Sequence, residues 1–94
     1  MKAAIDITQA DGAGARFAVA IQADDGSRTG HEVTVSDADW ERFGAGYASR
    51  AALVEASFRF LLEREPKESI LPAFELGVIE RYFPEYGSTI RAGG

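Results

Sequence analysis

Apolar and polar residues alternate along the first third of the chain. The alternating apolar residues form three short runs: Ile5 and Ile7, then Phe17, Val19 and Ile21, then Val33 and Val35. A period of two places each run on one face of a strand. Asp-Gly, a pair that suits tight turns, lies in each of the two intervening segments. The pattern predicts a three-stranded antiparallel meander at 3–9, 15–23 and 29–35, within a β region spanning 3–36.

The segment 37–84 predicts helices that cover the apolar face of this sheet. Ser36 and Ser49 precede apolar residues at helical spacing, and a serine side chain can accept a hydrogen bond from the free N–H groups of a first helical turn. The second helix should end near Glu65, because Pro66 cannot continue it. These features predict two helices, one after each serine.

The remaining chain predicts a short helix that begins at Pro66 and a last helical segment at 74–83. In that last segment Leu76, Ile79 and Phe83 lie on one side, while a second set lies on a neighbouring side: Phe74, Val78 and Tyr82. Residues 87–94 are expected to form a flexible tail. The expected fold over 1–94 is therefore a single α+β domain, a three-stranded antiparallel meander covered by three to four C-terminal helices.

The helix that follows Ser49 is apolar over an arc of about 200°, which is wider than a helix lying on one sheet needs. Aromatic residues, which are frequent both at interfaces and in small cores, accompany it. We therefore predict a non-catalytic interaction or assembly module that forms a homodimer. The predicted interface residues are Trp40, Phe43, Tyr47, Leu53, Phe60, Tyr82, Phe83 and Tyr86. The alternative, that these side chains fill the core of a monomer, stays open.

Composition narrows the classes of partner. The chain has 94 residues, no cysteine and a net charge of −5 at pH 7. Negative charge repels nucleic-acid phosphates and anionic lipid surfaces, so both are disfavoured as partners. No apolar stretch approaches the length of a membrane span, and the N-terminus does not read as a signal peptide. We expect a cytoplasmic protein.

The types of residue in the chain predict neither catalysis nor a bound metal or cofactor. His31 is the only histidine and no cysteine accompanies it, so a metal site lacks ligands and a general base lacks partners. His31 is expected to be structural, at a strand end beside a carboxylate. Asp24 would begin a calcium loop whose twelfth position is Val35 rather than Glu, so we expect a turn there.

Two further functions remain as alternatives. The terminal Gly93-Gly94 resembles the end of ubiquitin-like and sulfur-carrier proteins, which implies a carrier whose tail is activated at its carboxylate. Such a protein would need a strand that leads into the tail. The helical stretch from Ser49 to Tyr86 loosely resembles a helix-turn-helix, which implies a small antitoxin-like regulator that contacts DNA. Its second helical part offers few cations for reading bases.

One resemblance covers about a third of the chain. The segment from Phe58 to Leu71, with its continuation from Ile79 to Tyr86, resembles a group of short uncharacterised bacterial proteins. The resemblance implies a bacterial origin, and no known function is attached to it.

Overall fold

The computed structural model describes residues 4–10 and 15–93 of the chain. The elements are β1 (Ala4–Gln9), β2 (Arg16–Gln22), β3 (Arg28–Thr34), α1 (Asp37–Phe43), α2 (Arg50–Leu62), a 3₁₀ turn (Lys67–Ser69), β4 (Ala73–Glu75), α3 (Val78–Tyr82) and α4 (Tyr86–Gly93). The fold is α+β, with three antiparallel strands first and the helices after them, which confirms the predicted fold class. Ala3 and the predicted turn at 11–14 lie outside the described residues.

Strands β1, β2 and β3 form the predicted meander. Phe17, Val19, Ile21 and Val33 are buried on one face, as their spacing predicts, and the residues between them are exposed or only half-buried. Gly26 adopts a φ of 88° in the turn between β2 and β3, a backbone conformation that favours glycine. The helices cover the apolar face, and the opposite face of the sheet is open.

The fourth strand, β4, was not predicted. It lies at the edge of the sheet and runs parallel to β3, with Val33 opposite Phe74. The N–H of Leu76 donates to the carbonyl of Thr34 at 2.9 Å. The predicted helix at 74–83 is therefore wrong over its first residues, and only Val78–Tyr82 is helical in this stretch. Pairing with a distant strand replaces the local helical preference.

The predicted flexible tail at 87–94 is also wrong as far as the chain is described, because these residues belong to α4. Tyr86 and Ile90 lie one helical turn apart on α4 and are 0% and 3% exposed. The Tyr86 ring lies 5.2 Å from the ring of Phe60 on α2. The second cover that the wide apolar arc of α2 requires is therefore α4 of the same chain.

Helix starts follow the predicted caps. The Ser36 hydroxyl accepts a hydrogen bond from the N–H of Asp39 at 3.0 Å, and that of Ser49 accepts one from Ala52 at 3.1 Å. No helix in the described part of the chain is long and apolar enough to cross a bilayer.

Candidate interaction surface

Four of the predicted interface residues are part of the hydrophobic core. Phe43, Leu53 and Tyr86 are 0% exposed and Phe60 is 4% exposed. The rings of Phe43 and Tyr86 lie 5.0 Å apart, where α1 meets α4. Since these side chains have almost no surface left for another molecule, their assignment to an interface is wrong for the folded chain. The wide apolar arc of the helix after Ser49 predicts contacts with a partner chain, but the core of the same chain provides those contacts.

Three more of the predicted residues are half-buried against this core. The Tyr47 hydroxyl donates to the carbonyl of Ile90 at 2.6 Å, which ties the loop after α1 to α4. The Phe83 ring packs edge-on against Phe60 at 5.9 Å. Trp40 packs against the core beside Gly44, so close that a Cβ there would meet its ring at 2.3 Å. All three have a structural role.

Tyr82 differs from the other seven because its side chain is 65% exposed. Among the described residues, only Leu71, 42% exposed, is a second large apolar side chain at the surface. Both line one groove between the end of α2, β4 and α3, which we name the Tyr82 groove. Its lining is Leu61, Glu65, Ile70, Leu71, Phe74, Val78, Ile79, Tyr82 and Phe83.

The two faces of α3 have different roles at the Tyr82 groove: one packs into the core and the other lines the groove. Ile79 turns inward and is 3% exposed. Val78 and Tyr82 are one turn apart on the outer side, next to Phe74 of β4. The free volume is only about 30 Å³, close to the share of one water molecule in the liquid. The groove is therefore a shallow apolar contact surface, too small for a cofactor.

Two charged side chains accompany the groove. Glu65 lies in its lining and is half-buried, while Arg81 precedes Tyr82 and is exposed. Neither side chain forms an ion pair or a hydrogen bond with the described residues. In contrast, four other arginines are each bound to a carboxylate at 2.6 to 3.1 Å: Arg42 to Glu80, Arg50 to Asp37, Arg59 to Glu55 and Arg64 to Glu85.

The edge of β4 lies beside the groove. The carbonyl of Pro72 accepts from Glu32 of β3, and the N–H of Leu76 donates to β3 two positions further along. Because successive residues of a strand direct their backbone groups to alternate sides, the N–H and C=O of Ala73 and Glu75 face away from the sheet. This edge is only three residues long.

A polar cluster lies at the same C-terminal end of α2, in an open cleft of about 900 Å³ between the β2–β3 turn and the 3₁₀ turn, and Glu65 lines both this cleft and the Tyr82 groove. The Lys67 side chain, 8% exposed, donates to Ser27 Oγ and to Glu68 Oε2, each at 2.5 Å. Ser27 Oγ in turn donates to Asp25 at 2.6 Å. These bonds lower the pKa of Asp25, chiefly through Ser27, and the pKa of Glu68, chiefly through Lys67. The cluster fastens the two turns together.

His31 is buried and joins β3 to the chain before β4. Its Nδ1 lies 2.8 Å from the carbonyl of Leu71, and its Nε2 lies 2.8 Å from the hydroxyl of Thr29. A carbonyl only accepts, so Nδ1 carries a proton. The predicted carboxylate neighbour is wrong, since a carbonyl and a hydroxyl take its place. Over the described residues, no three acidic or histidine side chains converge to hold a metal ion.

Sequence reasoning missed Leu71, Glu65 and Arg81. A signal was present in the second set of apolar residues, Phe74, Val78 and Tyr82, because a helix with two apolar sides has one to spare once the core is filled. The chain matches no protein-family model, no curated protein and no solved structure.

Proposed function

We propose that this chain is a protein-interaction module whose contact surface is the Tyr82 groove. The observation that carries the proposal is the 65% exposure of Tyr82 beside Leu71 on one apolar surface. Exposed apolar side chains that cluster, rather than occur singly, are typical of protein contact sites. Tyrosine suits such a site, because its ring is large and loses little conformational entropy on binding.

The proposal attributes binding rather than catalysis to the chain. Its support is the small free volume of the groove and its almost wholly apolar lining. The proposal places the module in the cytoplasm of a bacterium, where a chain without cysteine is unaffected by reducing conditions.

A photoreactive residue tests this proposal. Benzoylphenylalanine in place of Tyr82 should form covalent adducts with a protein chain on irradiation, in the purified sample or in cells. The same residue in place of Ala48, which is exposed in the loop before α2, serves as the control. If position 82 gives no more adduct than position 48, the groove is not a contact surface and the proposal fails.

The two alternative functions gain little support. Gly93 ends α4, and a helix rather than a strand leads to it, so the described residues up to Gly93 do not form the extended approach that a carrier tail needs. A DNA-binding regulator needs cations free to meet phosphates. Four arginines of the described residues are already bound to carboxylates, and the net charge is −5.

A further inference from the structure

We infer that the occupant of the Tyr82 groove is a second copy of this chain. The two copies are related by a two-fold axis that sets Arg81 of each copy against Glu65 of the other. This inference rests on the proposed function, since it names the partner of the same surface. It also gives a specific form to the homodimer that the sequence predicts.

The apolar part of the surface is complementary to itself. Tyr82 and Leu71 are the exposed apolar side chains of the groove, and the half-buried Phe74 lines it with them. A two-fold axis brings the same patch together twice, so each copy supplies both the projecting ring and the surface that the ring covers. In this arrangement the Tyr82 ring of each copy is covered by the groove of the other copy.

Charge selects the second copy among possible occupants. The groove lining contains one carboxylate, Glu65, and no Lys or Arg. A fitting partner therefore presents a large apolar side chain next to a cation. This chain presents that combination itself, because Arg81 is exposed next to Tyr82. Arg81 lines a neighbouring cleft with Glu75 and Glu80 but is bound to no carboxylate among the described residues.

In the two-fold arrangement the charges of Glu65 and Arg81 both stabilise the contact. Glu65 is half-buried, and within residues 4–10 and 15–93 no cation is bound to it, so contact with another chain would remove more water from an unpaired carboxylate. Desolvation of an unpaired carboxylate costs free energy, whereas a nearby guanidinium offsets that cost. Two reciprocal pairs also oppose the repulsion between copies that each carry a net charge of −5.

Charge reversal provides the test. Arg81→Glu and Glu65→Arg are each expected to raise the dissociation constant of the homodimer about tenfold or more, since each homodimer then contains two like-charge contacts. An equimolar mixture of the two variants should associate about as well as the wild type, because both contacts in the mixed dimer again join opposite charges. Arg28→Glu, on the open face of the sheet, and Glu41→Arg, on α1, are the matched controls.

Sedimentation velocity over a range of concentrations measures these constants, and far-UV circular dichroism checks that each variant is folded. If Glu65→Arg does not fold, Glu65→Gln and Arg81→Gln replace the reversals. Each of these and their double variant should then weaken the dimer to the same extent, since all three remove the same pairs.

Several results would overturn the inference. One is a wild type that stays monomeric at millimolar concentration, and another is a dimer that neither reversal weakens. A third is a mixture that associates no better than the separate variants. Adducts of position 82 with a different protein, combined with a monomeric wild type, would leave the proposed function standing and remove the second copy as the occupant.

Discussion

Buried polar side chains join separate elements in this fold. Lys67 binds the turn between β2 and β3 to the 3₁₀ turn, and His31 binds β3 to the chain before β4. Inside the helical layer, the Tyr86 hydroxyl lies 2.6 Å from Ser57 Oγ, which joins α4 to α2. Every buried side-chain nitrogen and oxygen in the described residues has a hydrogen-bond partner. At the scale of single residues, these groups therefore act as structural links.

Lys67→Met tests the link between the two turns. The substitution keeps the apolar stem and removes the bond to Ser27, so we expect the free energy of unfolding to fall by about 1–2 kcal/mol. Arg59→Met in the same cleft removes only an exposed pair with Glu55 and should cost at most about 0.5 kcal/mol. Urea titration measures both. Equal losses in the two variants would show that Lys67 has no special role.

Acid should weaken the same link. The hydrogen bond from Lys67 lowers the pKa of Glu68 below its usual 4.5 in the folded chain. A lowered pKa contributes stability above that value, and the contribution disappears as the pH falls through the folded pKa. The loss of stability between about pH 6 and about pH 3 should thus be smaller in Glu68→Gln than in the wild type.

The control for this acid effect is the Lys67→Met background. There Glu68→Gln should change the loss of stability much less, because the main cause of the lowered pKa is already absent. Urea titrations at each pH measure the effect. An unchanged acid dependence in Glu68→Gln itself would contradict the account.

The link between α2 and α4 predicts unequal effects from its two sides. Ser57 Oγ donates to the carbonyl of Leu53 at 2.8 Å, so the Tyr86 hydroxyl is the donor between the pair. Burial raises the pKa of Tyr86, which keeps this hydroxyl protonated. Ser57→Ala leaves a buried donor without an acceptor and should cost about 1–3 kcal/mol, whereas Tyr86→Phe should cost about 1 kcal/mol or less. Thermal unfolding compares them, and a costlier Tyr86→Phe would reverse the assigned direction of the bond.

At the scale of elements, α4 completes the helical layer. Its burial follows from Tyr86 and Ile90, which are one turn apart and fill the space beside α2 and α1. The helix therefore contributes to the core rather than extending from it.

Ile90→Ala measures this contribution. Ile90 is 3% exposed, and truncating a buried isoleucine costs transfer free energy plus the penalty of a cavity, here about 2–4 kcal/mol. Thr89→Ala, at the exposed neighbouring position, should change the free energy of unfolding by no more than about 0.5 kcal/mol. Denaturant titration of both variants is the measurement. Two equally small effects would mean that this end of the chain is a tail.

Some helices and strands of this fold form because of their local sequence, and others form because of contacts with distant parts of the chain. The meander follows from the alternation of apolar residues and, between β2 and β3, from the Asp25-Gly26 turn. The starts of α1 and α2 follow from Ser36 and Ser49, so these elements could be predicted from the sequence. Strand β4 has only three residues, too few to show an alternating pattern. It forms because it pairs with β3, which lies about forty positions earlier in the chain. The helix α4 contains glycine at 87 and 93, which disfavour a helix locally, and its packing against α1 and α2 stabilises it.

The candidate surface was predictable only in part. Tyr82 belonged to the predicted interface, but seven other residues given the same role lie in or against the core. Periodicity shows which residues are apolar and which share a side of a helix. Whether that side meets the same chain or another one depends on β4 and α4, which were not predicted.

At the scale of the whole molecule, charge and apolar surface are distributed unevenly. Arginines on α1, α2 and the chain after α2 are bound to carboxylates, whereas Glu65 in the Tyr82 groove and Arg81 next to Tyr82 have no such partner among the described residues. The same region holds the two exposed large apolar side chains. We therefore expect the chain to associate through one surface, the Tyr82 groove.

Light scattering on a size-exclusion column, over a range of loading concentrations, tests this central claim most directly. The wild type should rise from the 10.1 kDa of one chain toward twice that mass, while Tyr82→Asp stays at 10.1 kDa and Ala48→Asp behaves like the wild type. A wild type that remains at 10.1 kDa throughout, or a Tyr82→Asp variant that associates as strongly, would contradict it.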